Sequence, residues 1–171
     1  LRPTSWSSTK DLGAAPGSWS QYIIRQYKKS LVLAIDLLDF EHIDKVNKIV
    51  GDFTKSENKE KIKNFFEKKV DVVISDMAVN TTGNKNLDAI VTGELCIEAM
   101  EFAFEMLDKK GKFVSKIFMG SSFNEIVADA KKKFREVNIF KPLSSRKDSK
   151  ESFITVSYTH LRAHEPRTHR V

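Results

Sequence analysis

The stretch DLGAAPGSWSQY, residues 11–22, decides the fold of this chain. Its glycines, alanines and proline predict a tight turn, and Trp19, Tyr22 and Ile23 recur after it at helical spacing. The stretch therefore predicts a strand end, a loop and then a helix whose N-terminus faces the loop. Because small residues let a ligand approach the backbone, the loop is a candidate cofactor site.

The glycine spacing of the loop indicates which kind of cofactor to expect. Gly13 is followed by the letters AAP and then Gly17, which is not the G-x-G-x-x-G spacing of dinucleotide-binding proteins. Pro16 also stiffens the turn. A cofactor without phosphate, such as S-adenosylmethionine, is therefore favoured over a pyrophosphate. For this stretch taken alone, an ordinary glycine-containing turn is the alternative.

Apolar runs of strand length alternate with helical patterns along the rest of the chain. This order predicts an α/β fold, a mostly parallel sheet with helices on both faces. Cys96 lies in an apolar helical pattern and is predicted to be a core residue rather than a catalytic thiol. Strands are predicted at 31–35, 46–50, 70–75 and 112–118, with a closing antiparallel pair at 137–140 and 152–156.

The composition predicts one globular domain and an anionic partner. The 171 residues are 40% hydrophobic and 30% charged, and the net charge is +6. A basic balance favours nucleic acid, with a solvated basic surface as the alternative. No apolar run approaches the roughly 20 residues that span a bilayer, and no leader pattern is present, so we expect a cytoplasmic location and no membrane partner.

Both ends of the chain differ from the middle in their residue composition and pattern. Residues 1–10 supply no apolar strand before Asp11, and residues 157–171 replace the lysines of the centre with arginine and histidine. We therefore expect a domain at 11–156, with ends that are foreign to it or disordered. A native basic tail that contacts RNA is the alternative for the C-terminus. The tail histidines lack acidic or cysteine partners, so no metal site is expected.

Acidic residues fall at the ends of predicted strands. Ligands of open α/β sheets bind at the carboxyl ends of the strands, where Asp11, Asp36, Asp52 and Asp76 are predicted. Asp36 follows Gly17 at close to the separation of about 20 residues at which an acid reaches a bound ribose. We therefore expect Asp36 to bind a ribose. A helix cap or turn is the alternative for any one of these acids.

Lys116 lies inside the apolar strand pattern KFVSKIF, residues 112–118. An ammonium there must find a partner or lose its proton, and Asp76 and Glu151 are the candidate partners. A lysine beside an acid can orient or deprotonate a hydroxyl, as methyl transfer to a ribose oxygen requires. A lysine that extends from the strand end into water is the alternative.

The motifs taken together resemble one family. In chain order they are DLGAAPGSWSQY, AIDLLDF, GDF, SDMAVN, SKIFMG and KPLSSRKDSKESFITV. In the identity and order of these motifs, from residue 11 to 156, the chain is similar to FtsJ-type ribosomal RNA 2′-O-ribose methyltransferases. The resemblance implies a Rossmann-like, S-adenosylmethionine-dependent methyltransferase fold.

The family pattern implies a set of cofactor residues. Gly17 and Trp19 are implied to line the cofactor loop. Asp36 is implied to take the ribose and Asp52 to lie on the adenine side. Asp76 is implied to lie near the methyl donor.

The family's catalytic set is a Lys-Asp-Lys-Glu tetrad. Asp76, Lys116 and Glu151 match three of its members. The first lysine belongs to a helix upstream of the first strand and has no match, since Lys10 abuts the loop motif and cannot be carried over. The domain is therefore expected to be truncated at its N-terminus. Val79 also stands where the family usually has proline, in the loop over the target nucleotide.

The resemblance implies methyl transfer from S-adenosylmethionine to a ribose 2′-hydroxyl, in a uridine of the aminoacyl-site loop of large-subunit ribosomal RNA. We expect a monomer whose partner is ribosomal RNA. The alternatives are a methyltransferase of a protein or small molecule, and an RNA- or cofactor-binding fragment without turnover. The RNA is expected to contact phosphate-binding side chains at Lys131, Lys132, Lys133, Lys141, Arg146, Lys147 and Lys150.

Overall fold

A seven-stranded sheet forms the centre of the computed structural model, which describes residues 6–78, 83–143, 149 and 151–157. Four helices flank the sheet within these residues. The strands are β1 (Ser8–Leu12), β2 (Leu31–Asp36), β3 (Val46–Val50), β4 (Val70–Ser75), β5 (Leu107–Phe118), β6 (Glu136–Phe140) and β7 (Glu151–Ser157). The helices are α1 (Ser18–Gln26), α2 (Ser56–Phe65), α3 (Lys85–Met106) and α4 (Phe123–Lys133).

The strand order across the sheet is β3-β2-β1-β4-β5-β7-β6. The pairs from β3 to β5 are parallel, and β7 runs antiparallel to both β5 and β6. The first described strand, β1, thus lies in the middle of the sheet, and the later strands are added first on one side of it and then on the other. This arrangement confirms the predicted fold class and the closing antiparallel pair, and it gathers the carboxyl ends of five parallel strands at one edge.

Each face of the sheet carries its own hydrophobic layer. Val32 and Ala34 of β2 point to the face that α1 covers, where they pack with Ile23. Leu33 and Ile35 point to the opposite face, which α2, α3 and α4 cover. Because β2 is covered on both sides, all four side chains are buried, and the strand reads as a continuous apolar run.

The third helix illustrates how local sequence sets element bounds. Asn84 caps α3 with its side-chain oxygen, which accepts hydrogen bonds from the backbone N–H groups of Asn86 and Leu87. Cys96 lies on the buried side of α3, where burial raises the pKa of its thiol to about 11. The predicted core role of Cys96 is confirmed. None of the helices in the described part of the chain is long and apolar enough to cross a membrane.

The expectation that no strand precedes Asp11 is wrong. β1 includes Ser8, Thr9 and Lys10, and it pairs with β2 on one side and β4 on the other. Two hydrogen-bonded neighbours fix a strand here although Leu12 is its one apolar side chain, because β-propensity is a weaker effect than tertiary pairing. Ser157 likewise belongs to β7. The remaining parts of the two ends, residues 1–5 and 158–171, lie outside the described residues.

Lys10 is fully buried in the layer beneath α2 and α3. Its Nζ lies 4.9 Å from the ring centroids of both Phe66 and Phe102, and it has no hydrogen-bond partner among the described residues. Burial, and then the charges of Lys63 and Lys69, lower the pKa of Lys10 to about 7. The fold therefore favours the neutral amine at this position.

This lysine makes stability depend on pH. Between about pH 7 and pH 10.5 the unfolded chain holds the Lys10 proton and the folded chain does not, so the free energy of unfolding rises with pH. From pH 7 to pH 9 we expect a gain on the order of 2 kcal/mol in urea denaturation. Lys10→Met should remove this slope. The matched change at an exposed lysine, Lys68→Met, should keep it, and equal slopes in both variants would contradict the account.

Candidate active site at the ends of the central strands

The loop between β1 and α1 lies against the ends of β2 and β4. The backbone N–H groups of Gly13 and Ala14 both donate to the carbonyl of Ile35, at 2.9 and 3.1 Å. Gly13 has a φ of +75°, and a Cβ on it would lie 2.6 Å from Met77 Cγ and 2.8 Å from the Met77 nitrogen. Only glycine fits both the backbone angle and this close crossing.

A cavity of about 490 Å³ opens at this edge of the sheet. Three of the predicted acids, Asp36, Asp52 and Asp76, line it, together with the bare backbone of Gly13. Its other walls are largely apolar. The remaining lining residues are Ala15, Ile35, Leu37, Leu38, Gly51, Phe53, Thr54, Met77, Ala78, Val91 and Leu95.

Asp36, the last residue of β2, ties two loops to the cavity. Its Oδ2 accepts a hydrogen bond from the Ala15 N–H at 2.9 Å, and its Oδ1 accepts one from the Leu38 N–H at 2.8 Å. Each carboxylate oxygen keeps further lone-pair capacity for a ligand. Asp36 can therefore hold the loops and bind a hydroxyl at the same time.

Asp52 follows β3 and is fixed by its own turn. Its Oδ1 accepts hydrogen bonds from the Thr54 hydroxyl at 2.7 Å and the Thr54 N–H at 2.9 Å, and these bonds hold the pKa of Asp52 below its usual range. The buried Asn58 side chain donates to the Asp52 carbonyl at 2.8 Å. Asp52 thus presents a charged carboxylate in one orientation. The turn that the sequence offered as an alternative role for Asp52 is therefore present, and Asp52 lines the cavity as well.

Asp76 and Lys116 form an ion pair beside the cavity. Lys116 Nζ lies 2.7 Å from Asp76 Oδ1, and the lysine side chain is only 15% exposed. The Trp19 indole donates to the other oxygen, Asp76 Oδ2, at 3.2 Å. The prediction that an ammonium in this strand needs an acidic partner is confirmed, and the partner is Asp76.

Glu151 begins β7 on the same face of the sheet as Lys116. In the antiparallel ladder Glu151 stands opposite Phe118, and Lys116 stands opposite Phe153, so the two charged side chains occupy neighbouring rows. Among the residues that the structure describes, no ion pair joins Glu151 to Lys116. Glu151 thus lies near Lys116 without a direct contact, and its assignment as the glutamate of the tetrad stays a prediction.

Gly17 and Trp19, which are predicted to line the cofactor loop, lie next to the cavity wall rather than in it. Gly17 is the N-cap of α1, with a φ of +105°, and a Cβ on it would collide with Ile43. Trp19 contacts Asp76 and the ring of Phe153. Neither Gly17 nor Trp19 is among the residues that line the cavity.

Two other polar residues of β1 point away from the cavity. Asp11 is buried and accepts a hydrogen bond from Ser20 Oγ at 2.6 Å, and burial raises its pKa to about 6 against the effect of that bond. Asp11 lies near the end of β1, as predicted, but it does not line the cavity with Asp36, Asp52 and Asp76. Lys10 packs on the face opposite to Lys116, so it does not reach the Lys116–Asp76 pair.

The predicted RNA surface is only partly described. Lys141 Nζ donates to the Ser149 carbonyl at 2.7 Å, and Lys133 pairs with Asp129 and Glu101. Lys131 and Lys132 are exposed at the end of α4. The predicted contacts at Arg146, Lys147 and Lys150, and the substitution at Val79, lie outside the described residues.

Comparisons with known proteins agree with this geometry. A family model described as FtsJ-like methyltransferase matches residues 6–158. A Pelagibacter ubique (strain HTCC1062) protein, ribosomal RNA large subunit methyltransferase E, is 65% identical over 86% of this chain and 72% of its own length. The protein of the same name from Rickettsia bellii (strain RML369-C) is 42% identical over 84% of this chain and 66% of its own length. A crystal structure from Plasmodium falciparum, assigned as a ribosomal RNA methyltransferase, has a TM-score of 0.79 at 27% identity, with 91% of this chain and 87% of that chain covered.

The close crossing at Gly13 predicts a specific cost of substitution. Gly13→Ala should destabilise the chain by more than Gly83→Ala, by about 1 to 3 kcal/mol in urea denaturation. Both glycines have positive φ, but a Cβ on Gly83 meets nothing within 4 Å. Gly83→Ala therefore isolates the cost of the backbone angle. Equal losses would show that the Met77 contact is not a constraint.

Proposed function

The chain belongs to the FtsJ-like methyltransferase family, and from this premise we propose that it transfers a methyl group from S-adenosylmethionine to the 2′-hydroxyl of a ribose in RNA. The observation that carries the proposal is the Lys116–Asp76 ion pair beside the acid-lined cavity. A fixed ammonium at the edge of a ligand cavity is suited to orienting a hydroxyl and managing its proton.

The cavity fits S-adenosylmethionine better than a phosphorylated cofactor. Three carboxylates would repel a phosphate, whereas Asp36 and Asp52 can accept hydrogen bonds from hydroxyl and amino groups. The apolar side chains of Phe53 and Leu95 offer surface for a flat base. When bound, S-adenosylmethionine supplies an electrophilic methyl group on a sulfonium, whose departure leaves a neutral thioether.

The residues around Lys116 have separate roles in methyl transfer to the 2′-hydroxyl. Trp19 and Lys116 each hold one oxygen of Asp76, so the carboxylate and the ammonium keep one mutual orientation. From that position Lys116 Nζ orients the 2′-hydroxyl. In the neutral form, after its extra proton has gone to solvent, the same nitrogen accepts the hydroxyl proton as the methyl group is transferred. Glu151 stands on the same face, in the row next to Lys116, and adds negative charge near the ammonium.

The proposed substrate is ribosomal RNA, and more narrowly a uridine in the aminoacyl-site loop of the large subunit. The bacterial relatives are named for large-subunit ribosomal RNA, and the net charge of +6 supports a polyanionic substrate. We propose that the RNA follows the basic side chains from α4 to residues 141–150. We also propose that the chain acts as a monomer in the cytoplasm, where it meets the assembling subunit.

The proposed ribose contact can be tested on cofactor affinity. Asp36→Ala should weaken S-adenosylmethionine binding by roughly 1 to 3 kcal/mol in calorimetry, because it removes charge-assisted hydrogen bonds. Asp39→Ala is the matched control, since Asp39 lies in the same loop, is 74% exposed and pairs with Lys48. Equal effects in the two variants would show that Asp36 does not contact the cofactor.

The proposed role of Lys116 can be tested on rate. Lys116→Ala should lower methyl transfer to large-subunit particles by about 10² to 10⁴, because the group acts on the hydroxyl in the transition state. Cofactor affinity should stay close to that of the unsubstituted protein.

Lys112→Ala is the control for this change. Lys112 lies on the same strand and the same face as Lys116, but near the opposite end of the sheet. It should leave the rate unchanged. Near-normal transfer by Lys116→Ala would remove the lysine from the mechanism, and transfer to protein or small molecules instead of RNA would overturn the substrate class.

A further inference from the structure

A row of three aromatic rings leads away from the Lys116–Asp76 pair. Trp19, whose indole binds Asp76, has its ring 6.0 Å from that of Phe153, and Phe153 stacks on Phe140 at 5.5 Å with an interplanar angle of 21°. We call Trp19, Phe153 and Phe140 the aromatic ledge. The ledge starts at the proposed catalytic pair and ends on β6.

The outer ring of the ledge is exposed. Phe140 is 45% exposed, and its register partner is Phe153, which in turn stands opposite Lys116. All three side chains therefore point to the same face of the sheet. The core behind β6 and β7 is built on the other face, by Ile154 and Val156. Phe140 thus adds a large apolar ring to the surface without contributing to that core.

The exposed ring of Phe140, beside the proposed site for RNA, is suited to binding a nucleobase. Nucleobases stack on aromatic side chains in single-stranded RNA sites, and a stacked base contributes about fivefold to a hundredfold to affinity. Phe153 already holds Phe140 in a stacked orientation, so little freedom is lost when a base covers the exposed part.

We propose that a nucleobase next to the methylated ribose stacks on the ring of Phe140. The proposal rests on the proposed function, and it is supported by the continuity of the ledge with Lys116 and by the basic net charge of the chain. Phe140 then acts on RNA affinity and positioning, and Lys116 acts on the chemical step.

The test compares binding of a fluorescent single-stranded oligouridylate by variants of the purified protein. Phe140→Ala and Phe140→Leu should bind about fivefold to a hundredfold more weakly, whereas Phe140→Tyr should bind close to the unsubstituted protein. The leucine keeps apolar bulk on β6 and so protects the fold. Tyr22→Ala, which removes an exposed aromatic ring on α1, should leave RNA affinity unchanged.

Three further measurements complete the test: cofactor affinity, kinetics and oligomeric state. S-adenosylmethionine affinity should be equal in all variants, and on large-subunit particles Phe140→Leu should raise KM more than it lowers kcat. Unchanged oligouridylate affinity in Phe140→Leu overturns the proposal, and so does a dimer of the unsubstituted protein that Phe140→Leu converts to monomers. If the unsubstituted protein binds oligouridylate but transfers no methyl group to RNA, the proposed function fails, while the binding comparison still decides the role of Phe140.

Discussion

A lysine ammonium on a side chain that is only 15% exposed needs a carboxylate partner, and this need is the constraint on which the site depends. β4 and β5 pair with Ser75 opposite Ser115, so the residues that follow, Asp76 and Lys116, come side by side at the carboxyl edge. Both side chains are largely removed from water there, so each charge is stabilised by the other. Trp19 ties α1 to the same carboxylate, and the first helix is thereby joined to the pair.

The Lys116–Asp76 pair lies between two parts of the site, the cavity and the aromatic ledge. The cavity lies over the ends of β1 to β4, where Asp36 and Asp52 are held by their own backbone turns and present fixed oxygens to a ligand. The aromatic ledge extends the other way, over β7 and β6. A cofactor on one side and an RNA strand on the other would meet at Lys116, which is the geometry that group transfer between two bound partners requires.

Sequence patterns predicted the sheet and most of the site because burial makes apolar residues recur at a regular spacing in strands and helices. They missed β1, since the letters STKD carry no apolar signal and pairing on both sides holds the strand. Side-chain direction was a second limit: Asp11 and Lys10 are neighbours in β1, yet they point to opposite faces and neither reaches the cavity. The ledge depends on cross-strand register, which no local pattern in the sequence reveals.

The central claim is that the methyl group goes to a ribose oxygen of RNA. The direct measurement is mass spectrometry of nucleosides from large-subunit ribosomal RNA incubated with the protein and S-adenosylmethionine that carries a deuterated methyl group. The account predicts that the label appears in 2′-O-methyluridine. Label on a base, or label found only in protein, would contradict it.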